Sequence, residues 1–247
     1  MRRVCVVQAR MGSTRLPGKV LRDLAGRPML AQLLRRLGAC TSLDEIVVAT
    51  TIEASDDPIA ELGVSEGIRV CRGSETDVLS RIVEAARDTD ADVIVRVTAD
   101  CPLIDPQVMD RVINELTTNA STADYASNVI RRTFPRGLDV EAMFLDTLLR
   151  VDRLARTRTE REHVTITILS ERPNVFLTRS VESDNDDSDL RWTVDEERDL
   201  ELVGRLYEAL RLGERIVPYA IVVDHVREHP ELASINAGVA TWTPRPS

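Results

Sequence analysis

Short apolar segments alternate with longer amphipathic segments through the first half of this chain. Four runs of four to seven mostly apolar residues have the length and composition of buried strands: 3–8, 45–51, 68–71 and 92–98. Helical patterns with a proline near the start lie between and after these runs: 28–39, 57–66 and 105–118. This β-α-β-α order predicts an α/β fold with a mostly parallel central sheet, helices on both faces, and ligands at the carboxyl ends of the strands.

The second half of the chain is less regular. It has two candidate strands, 139–144 and 175–181, and three candidate helices, 145–155, 160–170 and 196–212. We interpret residues 1–118 and 119–242 as two halves of one domain, and we expect a disordered tail at 243–247. Residues 182–189 are acidic and contain no apolar residue, so they predict a solvated, mobile loop without a chemical role.

Length and composition exclude several classes of protein. A chain of 247 residues with 43% hydrophobic residues can bury one large core. A net charge of −9 argues against a general nucleic-acid binder. The four cysteines lack a Cys-x-x-Cys pair and predict reduced, buried thiols. No apolar run approaches the roughly 18 residues that span a bilayer, and none resembles a signal peptide, so we expect a cytoplasmic protein without a membrane partner.

The segment that follows the first predicted strand has the most distinctive chemistry. Residues 8–19 combine three cations, two hydroxyl side chains and two glycines. Glycines allow a ligand to approach the backbone N–H groups closely, and cationic side chains complement a polyanion such as a triphosphate. The pattern is neither the Gly-x-x-x-x-Gly-Lys-Ser/Thr of P-loops nor the Gly-x-Gly-x-x-Gly of dinucleotide-binding folds. An exposed basic hairpin or surface loop is the structural alternative.

The segment also matches a family pattern, Arg-x-x-Ser-x-Arg-Leu-Pro-x-Lys, through Arg10, Ser13, Arg15, Leu16, Pro17 and Lys19. This pattern resembles the nucleotide loop of the cytidylyltransferases that make CMP-activated acidic sugars. The resemblance implies a three-layer, Rossmann-like nucleotide-diphospho-sugar transferase fold with CTP as the donor. It also implies that nucleotide is bound by Gln8, Ala9, Arg10, Met11, Gly12, Ser13, Arg15, Lys19 and Thr98.

Two aspartates are candidate metal ligands. Asp100 follows the strand at 92–98, within Thr98-Ala99-Asp100, and Asp195 directly precedes the last predicted helix. The family has aspartates at both places, and the resemblance implies that Asp100 and Asp195 hold Mg²⁺, which needs only one or two carboxylates in addition to phosphate oxygens. By propensity alone, Asp195 is an ordinary helix N-cap and Asp100 is a turn residue.

A third segment, residues 72–81, places a glycine and a capping-type cluster before a helix. Related octulosonate cytidylyltransferases have Ser-Gly-Thr-Asp-Arg here and hold cytidine with it, which implies nucleotide contacts from Gly73, Ser74 and Asp77. This chain has Val78 where those enzymes have arginine, and Arg72 or Arg81 could substitute for that cation. An ordinary helix start is the alternative interpretation.

Three later segments, 124–128, 135–141 and 161–165, resemble the branch named for spore-coat polysaccharide biosynthesis. They contain the residues that we expect to bind the acceptor, which are Asn128, Asp139, Glu141, Arg161 and His163. Asp139 and Glu141 alternate on one predicted strand and share a face, which is also typical of the polar face of an edge strand. His163 lies in the middle of a predicted helix without a second ligand at zinc spacing, and a packed hydrogen-bond network is its alternative role.

Together these features predict an enzyme that transfers CMP from CTP to an acidic sugar or similar small-molecule acceptor and releases pyrophosphate. It would act in polysaccharide or specialised-metabolite biosynthesis, with Arg10, Arg15, Lys19 and Asp100 as the catalytic residues. The resemblance also implies a homodimer. A phosphonate or sugar phosphate acceptor, a different base, and a non-catalytic binding subunit remain alternatives. A glycosyltransferase of the same fold is another, although Thr98-Ala99-Asp100 has only the second aspartate of an Asp-x-Asp motif.

Overall fold

The structure is a computed structural model that describes residues 1–240. One seven-stranded sheet takes strands from both halves of the chain, in the order β5-β4-β1-β6-β8-β7-β9. All neighbouring strands are parallel except β8, which is antiparallel to both β6 and β7. The strands of this sheet are β1 (Arg3–Gln8), β4 (Glu45–Thr51), β5 (Arg69–Gly73), β6 (Val93–Thr98), β7 (Tyr125–Ser127), β8 (Glu141–Phe144) and β9 (Thr178–Ser180), and β2 (Asp23–Leu24) pairs with β3 (Arg27–Pro28) in a separate hairpin.

The helices begin where capping or proline chemistry favours a start. In α4, for example, Asp105 accepts hydrogen bonds from the backbone N–H groups of Gln107 and Val108, and Pro106 is the first helical residue. The α-helices of the described residues are α1 (Met29–Leu37), α2 (Asp57–Ser65), α3 (Val78–Asp88), α4 (Pro106–Thr118), α5 (Leu145–Leu154), α6 (Arg158–His163), α7 (Glu197–Ala209), α8 (Tyr219–Glu228) and α9 (Pro230–Ile235).

The first strand shows why the molecule has three layers. Val4 and Val6 belong to a cluster with α3 and α5 on one face of the sheet. Cys5 and Val7 belong to a larger cluster with α1 and α4 on the other face. Because side chains alternate along a strand, a run that is apolar at every position needs cover on both faces. The predicted α/β fold with helices on both faces is confirmed.

The loops that follow β1 and β6 leave the sheet side by side. Gln8 pairs with Thr98 at the ends of these two strands, and the N–H of Ala99 donates to the carbonyl of Gln8 at 3.0 Å. Parallel neighbours present their carboxyl ends at the same edge of the sheet. The polar loop at 9–18 and the Asp100 segment are therefore adjacent.

The predicted helix at 160–170 is interrupted. α6 ends at His163, Val164 has a φ of 54°, and a π-helical turn follows at Thr167–Glu171. Positive φ is costly for a β-branched residue and does not fit a continuous right-handed helix. His163 is therefore the last residue of a short helix and not a mid-helix residue. The predicted strands at 139–144 and 175–181 are also shorter in the structure.

The acidic segment at 182–189 is not simply solvated, which corrects the prediction. Asp187 is buried, and its carboxylate lies 3.1 Å from the guanidinium of Arg227 on α8. Asp189 pairs with the same guanidinium at 2.6 Å. This salt bridge depends on a helix that the sequence patterns did not reveal; α9, β7 and the β2–β3 hairpin were missed as well.

Two further sequence predictions concern redox state and membranes. The four cysteines are free and buried, as predicted. Within residues 1–240, none of the helices is long and apolar enough to cross a membrane. The predicted tail at 243–247 and the predicted end of the domain at 242 lie outside the described residues.

Candidate active site

A cavity of about 320 Å³ opens at the carboxyl ends of β1 and β6. It brings together side chains from distant parts of the sequence, including the loop after β1, the segment after β6 and Asp195, two residues before α7. Four of the lining residues are cations and two are carboxylates, so this cavity has an excess of positive charge in a protein with a net charge of −9. The predicted residues that line it are Gln8, Ala9, Arg10, Gly12, Ser13, Arg15, Lys19, Thr98, Asp100, His163 and Asp195.

A buried aspartate that the sequence analysis missed holds the loop after β1 in place. Asp56, 2% exposed, accepts a 2.8 Å hydrogen bond from the backbone N–H of Met11 and further hydrogen bonds from Thr50 and Thr51. At the other end of the loop, the N–H of Gly18 donates to the carbonyl of Met11, with a φ of 68° at Gly18 that favours glycine. These contacts fix the loop backbone before a ligand arrives.

Lys19 occupies the centre of the charged cluster. Its ammonium lies 2.8 Å from Oδ2 of Asp100 and 2.9 Å from Oδ1 of Asp195, and it also donates to the carbonyl of Val194 at 2.7 Å. Burial lowers the pKa of Lys19, but the two aspartates outweigh burial and raise the pKa above its ordinary value. Lys19 is also the only lysine among the 32 basic residues of the chain. The position between the two carboxylates fits the compact ammonium of lysine better than the planar guanidinium of arginine.

Asp195 is not the N-cap of α7, which overturns the interpretation from propensity. Glu196 is the N-cap and forms a capping box with Asp199. The side chain of Asp195 is therefore available to cations, and Oδ2 lies 2.7 Å from Arg191 and 3.0 Å from Arg15. Burial raises the pKa of Asp195, whereas Lys19, Arg191 and Arg15 together lower it below its ordinary value.

The two aspartates suit a hard divalent cation. Their carboxylate oxygens converge on a single position, where the ammonium of Lys19 provides the positive charge. Two carboxylates supplemented by phosphate oxygens and water are a sufficient donor set for Mg²⁺. Within residues 1–240 there is no cluster of three or more His, Cys, Asp or Glu side chains that could hold a metal by itself. Any divalent ion at this position would thus share its coordination with a bound ligand.

Residues 72–81 lie beside the cavity and contribute one cation to it. Asp77 caps α3 and pairs with Arg161 at 2.6 Å, whereas Arg72 is held by backbone carbonyls and Asp57. Arg81 is the arginine of this segment that lines the cavity; it is 1% exposed and its Nε has no hydrogen-bond partner in the described structure. Burial, followed by the charge of Arg10, lowers the pKa of Arg81. The other predicted nucleotide contacts, Met11, Gly73, Ser74 and Asp77, are not among the lining residues.

A second cavity, of about 460 Å³, adjoins the first and shares Thr98 and His163 with it. Asp139 and Glu141 both line this second cavity, as their alternation predicted. The side chain of Asp139 forms a bidentate pair with Arg132, and that of Glu141 pairs with Arg96. Because β8 lies between β6 and β7, the edge-strand alternative for this segment is wrong.

Two predicted acceptor contacts lie elsewhere. Asn128 is fully buried, donates to the carbonyl of Leu138 and accepts from the N–H of Val140, so its amide bridges two backbone segments. Arg161 pairs with Asp77 and Asp152. Three arginines that line the second cavity were not predicted from the sequence: Arg96, Arg132 and Arg136. Only Arg96 had a signal in the sequence, because it is a cation inside an apolar strand.

His163 lies where the two cavities meet. Burial lowers its pKa, and the charges of Arg96 and Arg10 lower it further against an opposing effect of Glu162. Near neutral pH the imidazole is therefore uncharged. An uncharged imidazole can exchange hydrogen bonds with a hydroxyl group placed between the cavities.

Comparison with known proteins decides the family. A sequence model described as cytidylyltransferase matches residues 4–185, which is most of the chain. The chain belongs to the cytidylyltransferase family. The assignment covers the loop after β1 and Asp100 but stops before Asp195. It also decides against the glycosyltransferase alternative, since the family consists of nucleotidyltransferase enzymes.

Relatives of this cytidylyltransferase extend over nearly its whole length. An uncharacterized protein of Methanocaldococcus jannaschii is 36% identical over 97% of this chain and 96% of its own. The spore coat polysaccharide biosynthesis protein SpsF of Bacillus subtilis is 33% identical over 85% of this chain and 87% of its own. The expected resemblance to the spore-coat branch is confirmed.

Two solved structures share the fold. A cytidylyltransferase from Leptospira borgpetersenii superposes with a TM-score of 0.89 and 30% identity, covering 98% of this chain and all of the other. The structure of CMP:2-keto-3-deoxy-manno-octonic acid synthetase complexed with CTP has a TM-score of 0.64 and 20% identity, covering 85% of this chain and 99% of its own. The second likeness supports the three-layer nucleotidyltransferase fold alone.

Proposed function

We propose that this cytidylyltransferase transfers CMP from CTP to an acidic sugar and releases pyrophosphate, in the biosynthesis of a polysaccharide or specialised metabolite. The observation that carries the proposal is the convergence of Lys19, Asp100 and Asp195 with the cationic loop in one cavity. The match to the cytidylyltransferase family and the spore-coat relative support the donor and the pathway.

The cations of the first cavity bind and orient the triphosphate. Unit charges about 4 Å apart attract by about 4 kcal/mol at an effective dielectric constant near 20. Arg10, Arg15, Lys19 and Arg81 can therefore offset much of the repulsion between the triphosphate and an acidic acceptor, and they stabilise the departing pyrophosphate. Asp100 and Asp195 would hold Mg²⁺, whose charge would neutralise phosphate oxygens and favour deprotonation of the acceptor hydroxyl.

The second cavity is the proposed acceptor site. It adjoins the first at Thr98 and His163, so an acceptor hydroxyl placed at this junction faces the α-phosphate of a nucleotide in the first cavity. The uncharged imidazole of His163 can orient that hydroxyl by accepting its hydrogen bond.

The decisive assay measures pyrophosphate release by the purified protein with Mg²⁺, each of CTP, UTP, GTP and ATP, and a panel of acidic sugars, sugar phosphates and phosphonates. We expect release with CTP and an acidic sugar. The Asp100→Asn variant should lower turnover roughly 100-fold or more, because it removes a charged group at the centre of the site.

Asp184→Asn is the matched control, since it makes the same charge change at an exposed residue and should leave the rate unchanged. Normal turnover by folded Asp100→Asn protein would remove the metal assignment. Release only with a phosphate or phosphonate acceptor would reassign the substrate class. Absence of release with every nucleotide and acceptor would favour a non-catalytic binding subunit.

A further inference from the structure

One arginine of the second cavity differs from its neighbours. Arg96 is paired with Glu141, and Arg132 is paired with Asp139. The side chain of Arg136 is half-buried and lines the same cavity, yet it makes no hydrogen bond or ion pair with any described residue. Burial and the nearby charges of Arg132 and Arg191 lower its pKa, although Asp139 opposes them. Its charge is therefore only partly compensated in the free protein.

The backbone holds Arg136 in a defined place. Its N–H donates to the carbonyl of Leu190 at 2.9 Å, and its carbonyl accepts from the N–H of Trp192 at 2.6 Å. The next residue, Gly137, has a φ of 106°, and a Cβ there would lie 2.5 Å from the backbone nitrogen of Thr193. Only glycine permits this close approach, so the position of Arg136 is set before any ligand binds.

The side chains that line the second cavity carry one more positive charge than negative charge. Its lining includes three arginines and two carboxylates, and both carboxylates are already paired. His163 adds no charge near neutral pH, because its pKa is lowered. The remaining walls include the apolar side chains of Val129, Ile166 and Leu169. The cavity is thus complementary to a small ligand with one negative charge.

We propose that Arg136 binds the carboxylate of the acceptor and thereby selects acids as substrates. The proposal rests on the proposed function of the second cavity as the acceptor site. A guanidinium without a protein partner can offer two parallel N–H donors to a carboxylate. Since the cavity has an excess of one positive charge, a carboxylate monoanion neutralises it, whereas a phosphonate or phosphate dianion would leave an uncompensated negative charge.

The test uses pyruvate, a small 2-keto acid, as a probe together with its neutral analogue pyruvamide and methylphosphonate, in mildly alkaline buffer where methylphosphonate is a dianion. Binding to the full-length protein at millimolar concentration is followed by ligand-observed NMR. We expect the wild-type protein to bind pyruvate and not pyruvamide, and to bind methylphosphonate more weakly. Arg136→Gln should weaken pyruvate binding by about 10- to 100-fold, the usual loss for a hydrogen-bonded charge. Arg136→Lys should restore part of the affinity, because the charge returns without the planar fork.

Arg131→Gln is the matched control. Arg131 lies in the same segment, its side chain is 77% exposed and it pairs with Glu182 at the surface, so pyruvate binding should be unchanged. Thermal unfolding separates a binding role from a structural one. Removing an unpaired, half-buried cation should keep or raise the melting temperature, whereas loss of a structural contact would lower it.

Three results would overturn the proposal: wild-type affinity for pyruvate in Arg136→Gln, no binding of pyruvate by the wild-type protein, or methylphosphonate binding through Arg136 as tightly as pyruvate. CTP binding by the same variant tests the proposed function separately. If Arg136→Gln binds CTP normally but not pyruvate, both proposals are supported. If the wild-type protein binds pyruvate through Arg136 but does not bind CTP, the proposed function fails and the carboxylate site remains.

Discussion

At the scale of single residues, the site is organised around the positive charge of Lys19. Lys19 neutralises Asp100 and Asp195 in the free protein, and these are the carboxylates that we propose for Mg²⁺. An ammonium and a divalent ion cannot both occupy the position between them, because the two cations would repel each other. Binding of the metal should therefore release Lys19, whose charge would then be available for phosphate oxygens.

Because Lys19 is the only lysine, this exchange can be observed directly. A protein labelled with ¹³C at the lysine side chain should show a single ε-methylene signal, and we expect Mg²⁺ alone to shift it by releasing the ammonium from its aspartates. Ca²⁺ is a useful comparison, and Asp184→Asn serves as a control with the aspartate pair intact. If the signal does not shift with Mg²⁺ but does shift with CTP, Asp100 and Asp195 do not coordinate the metal.

At the scale of elements, side-chain hydrogen bonds connect strand β1, which leads into the cationic loop, to its neighbour β4. Asp44, directly before β4, receives hydrogen bonds from the backbone N–H and the guanidinium of Arg3 at the start of β1. These bonds from Arg3 outweigh slight burial and lower the pKa of Asp44 to about 2. A carboxyl whose pKa is depressed on folding stabilises the protein above its unfolded pKa.

The contribution of the Asp44–Arg3 pair to the free energy of unfolding should consequently depend on pH. At neutral pH, Asp44→Asn should cost at most about 1 kcal/mol, since the carboxylate is 38% exposed and water screens the pair. The difference from wild type should shrink as the pH falls from about 4 to about 2, because the Asp44 carboxylate becomes progressively protonated over this range. Urea unfolding at several pH values measures this. A deficit that persists unchanged at pH 2 would show that the carboxylate charge is irrelevant.

At the scale of the whole molecule, the site links the two halves of the chain. Lys19 and Asp100 come from the first half and Asp195 from the second, and the N–H of Val194 donates to the carbonyl of Asp100 at 2.8 Å. The sheet likewise continues across both halves. A ligand bound in this cavity contacts both halves and should stabilise the folded chain as a unit.

We therefore expect CTP with Mg²⁺ to raise the melting temperature of one cooperative transition. When the ligand concentration is 100 times the dissociation constant, binding adds about 2.7 kcal/mol to the free energy of unfolding. For a chain of this size this corresponds to a rise of about 5–10 °C in melting temperature. Circular dichroism reports on the whole fold, and tryptophan fluorescence reports on the second half through Trp192. A CTP-induced shift in only one of these signals would show that the halves unfold separately.

The sequence by itself determined the α/β order, the two-sided burial of the sheet and the cationic, glycine-containing loop after β1. These features depend on local periodicity and on residues close together in the chain, as in the apolar run from Val4 to Val7. Helix positions were less accurate, because no local pattern marks the positive φ at Val164, and α8 contacts the acidic segment through residues 40 apart in the sequence, Asp187 and Arg227.

Only the tertiary structure decided which charges meet. Lys19 is 81 residues from Asp100 and 176 residues from Asp195 in the sequence, yet its ammonium contacts both. The chain has so many arginines that no pattern distinguishes paired Arg132 from unpaired Arg136, or Arg81 in the cavity from Arg72 outside it. The physical reason is that a charge is neutralised by whatever lies within a few ångströms, and folding sets those distances.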